Sequence, residues 1–183
     1  MPAQARKALR AKIMNGAAVA AGDRERRVLI DRLNQDLAAE YQAILMYVQY
    51  SAKLTGPYRR ELRALFQEGI GDELGHAQFL ADKIAALGGE PTTQPVPVPF
   101  ADDTRDMLEQ ALAAEKQAID DYGKRIHEVE TLGDIGLRVR LENQVADETH
   151  HKEELERILA GWSEQNRERI RNEDRWQDDG GQG

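Results

Sequence analysis

The octapeptide EYQAILMY at residues 40–47 returns 75 positions later as EKQAIDDY at residues 115–122. Glutamate, glutamine, alanine, isoleucine and tyrosine recur at the same offsets in both copies. The same shift also carries a second set of residues, Asp72, Glu73, His76 and Leu80, onto Asp147, Glu148, His151 and Leu155. The chain therefore consists of two similar halves, and each half contains a lone glutamate followed by a Glu-x-x-His motif.

Four long segments carry apolar residues at spacings of three and four, which is typical of amphipathic helices. Gly56-Pro57 separates the first two segments, and Gly133 separates the last two. Between the pairs, residues 88–101 contain four of the six prolines and predict an extended connection about as long as a helix. Two helical hairpins joined by one long crossover predict an all-α four-helix bundle.

The bundle is expected to occupy residues 23–162, with Asp23 as a candidate cap for its first helix. Residues 1–22 form a basic, alanine-rich extension before it. The predominantly polar residues 163–183 predict a short C-terminal helix or tail, frayed at its end.

Composition limits the chemistry that the chain can support. It has no cysteine, so any metal must be bound by oxygen and imidazole. No apolar run approaches the roughly 18 residues of a membrane span, and we expect a cytoplasmic protein. The net charge of −8 argues against a nucleic-acid-binding bundle surface. DNA binding stays open only for the basic arm, although a short charge run is usually just solvated. The arm's charges are Arg6, Lys7, Arg10 and Lys12.

Turn geometry brings the two kinds of motif together. In an antiparallel hairpin, residues equidistant from the turn lie at the same height, and residues 40 and 73 are equidistant from Gly56-Pro57. Residues 115 and 148 are likewise centred beside Gly133. Within each Glu-x-x-His, the i,i+3 spacing points the carboxylate and the imidazole the same way. The predicted metal ligands are Glu40, Glu73, His76, Glu115, Glu148 and His151.

Electrostatics explains why these groups require a metal. Four ionised carboxylates in a bundle core would repel one another and lose hydration, at a cost of about several kcal/mol each. Two divalent cations would cancel the four negative charges, and two neutral histidines would complete the ligand shell. Buried salt bridges are the alternative, but no lysine or arginine shares these helix stripes at the same height.

This constellation is the one that holds two iron or manganese ions in ferritin-like bundles. Its spacing, with Tyr47 seven residues after Glu40, resembles bacterioferritin within the ferritin-like superfamily over residues 27–162. The resemblance implies an iron-storage and detoxification protein with ferroxidase activity, an oxidoreductase that uses O2 or H2O2. It also implies a cage-like homo-oligomer and two iron ions per chain, although manganese or zinc would fit the same ligands.

The resemblance further implies residue roles. Glu73 and Glu148 would bridge the metals, Glu40 with His76 would complete one site, and Glu115 with His151 would complete the other. The implied catalytic residues are these six and Tyr47. Bacterioferritins carry their haem methionine directly after the glutamate of the first Glu-x-x-His, where this chain has Leu74, so haem is not expected.

Some assignments stay open. Asp147-x-x-His150 offers a competing register that breaks the repeat, so His150 is expected near the ligands or at the surface, and His127 in solvent. Tyr47 and Tyr122 are expected to hydrogen-bond a ligand or supply an electron, or else to be core aromatics. The aspartates next to the motifs, Asp72 and Asp147, would pass iron inward, orient a histidine or simply lie at the surface.

Two other functions compete with iron storage. A Dps-like, DNA-protecting mini-ferritin usually forms its metal site between subunits, whereas here one chain supplies all six ligands. A di-iron or di-manganese enzyme such as a manganese catalase is the second alternative. The near-twofold symmetry of the ligands argues weakly against chemistry on an asymmetric organic substrate.

Overall fold

The computed structural model describes the backbone of residues 3–179 and the side chains of residues 22–162. Within this range the chain forms helices and no strand, which confirms the all-α prediction. The four helices are α1 (Ala3–Lys53), α2 (Arg59–Ala86), α3 (Thr104–Leu132) and α4 (Ile135–Asp179). Helix α1 packs along α2, α3 packs along α4, and α1 also contacts α3. None of the helices in the described part is long and apolar enough to cross a membrane.

Glycines end the first helix of each hairpin. Gly56 has φ +89° between α1 and α2, and Gly133 has φ +73° as the cap of α3. Only glycine adopts this left-handed backbone without strain, so it turns the chain back at these two points. The hairpin turns therefore lie where the sequence predicts them.

The long crossover lies along α1. Val96 N donates to Ala38 O at 2.9 Å, and Tyr50 Oη donates to Pro99 O at 2.8 Å. Lys53 Nζ donates to Ala101 O at 2.6 Å near the end of α1. These bonds satisfy one amide and two carbonyls that the proline-rich segment cannot pair with itself, and they hold the crossover against α1.

One predicted helix boundary is wrong, since α1 begins at Ala3 rather than after Asp23. Helix α4 continues without a break past Trp162 to Asp179, over residues where a short C-terminal helix or tail is predicted. No proline lies near either boundary, and a glycine inside a helix costs only about 1 kcal/mol, so neither helix has to stop there. The side chains of the basic arm and the end of the polar tail lie outside the described residues. The division of the chain at residues 22 and 162 stays a prediction.

The core consists of two apolar clusters at opposite ends of the bundle. One includes Met46, Phe66 and Leu108, and the other includes Leu37, Leu80 and Leu141. Burying a leucine or phenylalanine side chain contributes about 1.5–3 kcal/mol, so both ends are firmly packed. On every helix the predicted ligands fall between the residues of one cluster and those of the other. The apolar ends thereby hold a polar layer in the middle of the bundle.

Candidate metal centre

All four helices contribute to this polar layer. The four glutamates are 1–3% exposed, His76 is 8% exposed, and His151 is half-buried. Residues of this charge are almost never so buried without a compensating partner. The structure therefore brings all six predicted side chains into one place, inside a single chain.

Their ligand atoms form two groups that share two glutamates. Within each group one oxygen or nitrogen of every residue lies within 4.8 Å of the others. The first group is Glu40, Glu73, His76 and Glu148, and the second is Glu73, Glu115, Glu148 and His151. Glu73 and Glu148 thus lie where a bridging ligand must lie. The roles of the six as metal ligands stay predictions.

The two imidazoles point the same nitrogen inward. His76 Nδ1 lies 3.0 Å from Glu148 Oε1 and 3.4 Å from Glu73 Oε2. His151 Nδ1 lies 3.4 Å from Glu148 Oε2 and 3.8 Å from Glu115 Oε2. The inward nitrogens are therefore the ones placed to bind a metal.

The outward nitrogens face aspartates of the opposite hairpin. His76 Nε2 lies 3.4 Å from Asp147 Oδ2, and His151 Nε2 lies 3.3 Å from Asp72 Oδ2. A carboxylate there accepts the Nε2 proton, orients the ring and leaves Nδ1 as the metal-binding nitrogen. Of the three roles considered for these aspartates, the geometry favours orienting a histidine.

Several inward-facing atoms make no hydrogen bond of acceptable geometry, although the imidazole nitrogens lie 3.0–3.8 Å from carboxylate oxygens. They are Glu40 Oε2, both carboxylate oxygens of Glu148, and Nδ1 of both histidines. A buried polar atom without a partner costs about 1–3 kcal/mol, and here five converge on one space. Carboxylate oxygens with two imidazoles are the donors that iron and manganese accept. The residues present therefore fit a pair of divalent metal ions.

Charge in this layer is balanced by protons when no metal binds. Burial raises the pKa of Glu73 well above its ordinary value and raises that of Glu115 to about 7. Burial would also raise the pKa of Glu148, but the neighbouring His151 and His76 lower it to about 2.

The pKa values of both histidines are also raised, which favours their charged forms. The Glu115 and Glu148 carboxylates raise the pKa of His151 to about 11. Burial disfavours the charged form of His76, yet Glu148 and Glu40 raise its pKa well above the ordinary value. Metal binding must displace these protons, since a protonated nitrogen has no lone pair to offer.

Two tyrosines connect the hairpins across the centre. Tyr47 Oη donates to Glu115 Oε1, and Tyr122 Oη donates to Glu40 Oε1. Burial, followed by the nearby carboxylates, raises the pKa of both tyrosines, so both stay protonated phenols. Tyr47 thus fixes one carboxylate oxygen of Glu115, and Tyr122 fixes one of Glu40. The other oxygen of each glutamate is left facing the metal position.

Three further buried polar residues near the centre, Gln144, Arg125 and Asp36, received no role in the sequence analysis. Gln144 Nε2 donates to Tyr122 Oη at 3.3 Å. Arg125 pairs with Asp36 at 2.8 and 3.2 Å, and both are more than nine-tenths buried. Asp36 lies one helical turn before Glu40, so the apolar stripe itself could have revealed it. The arginine pairs with Asp36 and Glu128 rather than with a predicted ligand.

The remaining histidines lie at the surface. The His127 side chain is 86% exposed and its nearest acidic partner is Glu130, while His150 is exposed beside His151. Neither belongs to the two groups of ligand atoms. The register Glu148-x-x-His151 is therefore the one that faces the bundle interior.

A cavity of about 60 Å³ between α1 and α3 reaches the glutamates from outside. Alanines keep it open, since their side chains are too small to close the gap between the helices. Those lining it are Ala39, Ala43, Ala114 and Ala118. Gln42 and Gln117 flank the opening above Glu40 and Glu115. The centre is thus within reach of ions from the α1–α3 face.

Known proteins match this chain over the same region. Residues 30–163 match the family described as the ferritin-like domain. The chain is 30% identical to a bacterioferritin of Streptomyces coelicolor over 132 residues, 72% of this chain and 79% of that protein. It is 41% identical to a bacterioferritin of Desulfovibrio desulfuricans over 76 residues, 40% of this chain and 42% of that protein.

A solved structure agrees with these matches. A structure described as ferritin-like, diiron-carboxylate proteins from Bacillus anthracis superposes with a TM-score of 0.73 and 47% identity. The superposition covers 74% of this chain and 97% of the other. All six candidate ligands fall inside the matched region, and the resemblance predicted from motif spacing is confirmed.

Proposed function

We propose that this chain, which belongs to the ferritin-like family, is an iron-storage and detoxification protein that oxidises ferrous iron at its six-residue centre. One observation carries the proposal: two overlapping groups of buried ligand atoms, several of them without hydrogen-bond partners, share Glu73 and Glu148. The diiron-carboxylate character of the Bacillus anthracis structure supports iron as the metal.

The carboxylates set the binding chemistry. Two ferrous ions bring four positive charges against the four glutamates, and His76 and His151 bind them as neutral ligands after losing their Nδ1 protons. Glu73 and Glu148 each have one oxygen for each ion. Glutamate oxygens tolerate both ferrous and ferric iron, so the same side chains can hold substrate and product.

The oxidation balances with either oxidant. Two ferrous ions give up one electron each, and O2 takes both electrons with two protons to form H2O2. With H2O2 as the oxidant, the two electrons and two protons yield two water molecules. The carboxylates stabilise the ferric charge that develops, because they lie in a layer from which water is largely excluded.

Tyr47 is the proposed catalytic residue beyond the ligands. When H2O2 meets a single ferrous ion, that ion supplies one electron and a second must come from the protein. The phenol of Tyr47 can give an electron while its proton passes to Glu115 Oε1, to which it is already hydrogen-bonded. Glu115 passes that proton on to the peroxide, and with one further proton from solvent H2O2 becomes two water molecules and releases no hydroxyl radical.

We propose that the functional form is a homo-oligomer, as storage in a cage requires. Residues 41–52 carry no charge at all, although 32% of the chain is charged. On the outer side of α1 and α2, the side chains of Leu45, Val48 and Leu74 are 47–58% exposed. Chains of net charge −8 repel one another, so contact between copies is favoured at an uncharged, partly apolar surface.

An anaerobic ferrous titration followed by oxygen, together with the assembly mass, tests this function. We expect two ferrous ions per chain to bind and oxidise rapidly, and ferric iron to accumulate in a hollow oligomer. Glu148→Gln should lose the rapid phase, whereas Glu142→Gln on the exposed side of the same helix should keep it. A small oligomer that turns over H2O2 and accumulates no ferric iron would contradict storage and favour a catalase-like enzyme.

A further inference from the structure

Helix α2 carries three glycines close to its two candidate ligands. In the stretch GIGDELGH, residues 69–76, they stand at positions 69, 71 and 75, and Glu73 and His76 lie among them. We call residues 69–76 the ligand segment. A glycine in an exposed helix interior weakens the helix about fivefold relative to alanine, because more backbone freedom is lost on folding. The backbone of the ligand segment is helical, but its helix is intrinsically weak.

Two of these glycines are not needed for packing. A Cβ atom on Gly71 or on Gly75 would meet nothing within 4 Å, and neither residue has a positive φ. Only Gly69 has a contact that requires it, since a Cβ atom there would lie 3.0 Å from Tyr47 Cε2. Alanine would therefore fit at positions 71 and 75 and would strengthen the helix. The glycines at these two positions weaken α2 without a steric cause among the described residues.

Apolar packing does little to hold the ligand segment in place. Over residues 67–76 the buried side chains are those of Glu73 and His76 alone, whereas Phe66 before them is part of one apolar cluster and Ala77 after them is part of the other. The remaining side chains of this stretch are exposed or half-buried. A helix opens locally where buried apolar contacts are few. The two groups that anchor the segment are thus the ones that a metal would bind.

The equivalent stretch of α4, residues 144–151, contains no glycine. At the positions of the three glycines it has Gln144, Ala146 and His150. Gln144 is 3% exposed, and its Nε2 donates to Tyr122 Oη at 3.3 Å, a bond that a glycine at position 69 has no side chain to make. Both stretches contain Glu-x-x-His, so the motif itself does not require the glycines. The weak helix is a property of α2 alone.

The ligand segment also carries part of the apolar outer surface. Leu74 follows Glu73 directly in the chain, and its side chain is 58% exposed. With Leu45 and Val48 of α1 it belongs to the surface at which contact between copies is proposed. A contact made by a mobile backbone is weaker than one made by a fixed backbone, because association must then also order the chain. Contact through Leu74 therefore depends on how firmly the segment is held.

We propose that metal binding orders the ligand segment and thereby strengthens the association of copies through Leu74. Without metal, residues 69–76 open locally. Metal bound to Glu73 and His76 suppresses this opening, because opening would release the ions. By linkage, association strengthens metal binding to the same degree. This inference rests on the proposed homo-oligomer and adds a switch by which iron occupancy controls its assembly.

Hydrogen exchange followed by mass spectrometry in the full-length protein measures the opening. In the metal-free protein, residues 69–76 should have lower protection factors than residues 144–151 of α4. Free cobalt(II) at about 100 times its dissociation constant should raise the protection of the ligand segment about 100-fold. Without metal, Gly71→Ala/Gly75→Ala should raise it about 25-fold, from two fivefold effects. Gly161→Ala, at another open glycine of a helix, is the matched control and should leave it unchanged.

Sedimentation velocity on serial dilution tests the link to assembly. The metal-free wild type should dissociate at a higher protein concentration than the cobalt-loaded protein. Metal-free Gly71→Ala/Gly75→Ala should approach the loaded value, because its segment is already ordered. The cobalt-loaded variant should match the cobalt-loaded wild type, since the added methyl groups are expected to leave the contact itself intact.

The outcomes separate this switch from the ferroxidase. Equal protection of the two stretches in the metal-free protein would overturn the switch, as would a dissociation concentration that cobalt does not change. Ordering and stronger association with cobalt in a protein that never oxidises iron would uphold the switch and refute the ferroxidase. Rapid iron oxidation in a protein whose ligand segment does not respond to cobalt would do the reverse.

Discussion

Loading the centre with metal should release at least two protons per chain. The pKa of His151 is raised to about 11 and that of His76 is raised well above its ordinary value, so both imidazoles are protonated at neutral pH without metal. Each must lose its Nδ1 proton to bind. Glu115, with a pKa of about 7, adds roughly half a proton, and Glu73 adds up to one more.

Two protons per metal pair make binding strongly pH-dependent. The overall binding constant for the pair should rise at least about 100-fold for each pH unit between 6 and 7, or at least about 2.7 kcal/mol. Isothermal titration with cobalt(II) in two buffers of different ionisation enthalpy measures the protons released. Exposed His127 should contribute nothing, so His127→Gln serves as the control. Release of fewer than two protons per pair would refute the proton-balanced site.

Three further predictions concern the surroundings of the centre. Arg125→Met should destabilise the fold by about 3–5 kcal/mol in urea unfolding, because Asp36 is left buried and unpaired, and stability equal to wild type would contradict this. Asp147→Leu should weaken cobalt binding roughly 10–100-fold by freeing the His76 ring, and unchanged affinity would show that the aspartate does not orient it. The pKa values of His76 and His151 are raised, so their contribution to the stability of the metal-free protein is complete below about pH 6.5 and is lost as the pH rises toward 11. The melting temperature of the metal-free protein should therefore fall over that pH range. A constant melting temperature would contradict the assignment.

The sequence predicts the fold and the site through features that are local. Turn residues at Gly56 and Gly133 fix the hairpins, and residues equidistant from a turn must meet. The i,i+3 spacing then aligns each glutamate with its histidine. Convergence of all six side chains follows once the two hairpins pack with their polar layers at the same height.

The parts that the sequence did not reveal depend on long-range pairing. Asp36 and Arg125 lie in different hairpins. The shift of 75 residues carries them onto Ala111 and Tyr50, which are uncharged, so comparison of the two halves does not indicate an ion pair. The start of α1 was mispredicted for a related reason. A cap residue such as Asp23 marks a start only where the preceding chain leaves the helix, and local preference does not decide that.

The central claim is that two metal ions bind between Glu73 and Glu148 inside one chain. A crystal structure of the cobalt-loaded protein, with anomalous scattering to locate the metal, tests it most directly. We predict two peaks roughly 3.5–4 Å apart, the spacing of other two-metal sites, each beside the Nδ1 atom of one histidine. A crystal in which the glutamates turn to solvent, or pair with arginines and enclose no ion, would contradict the account.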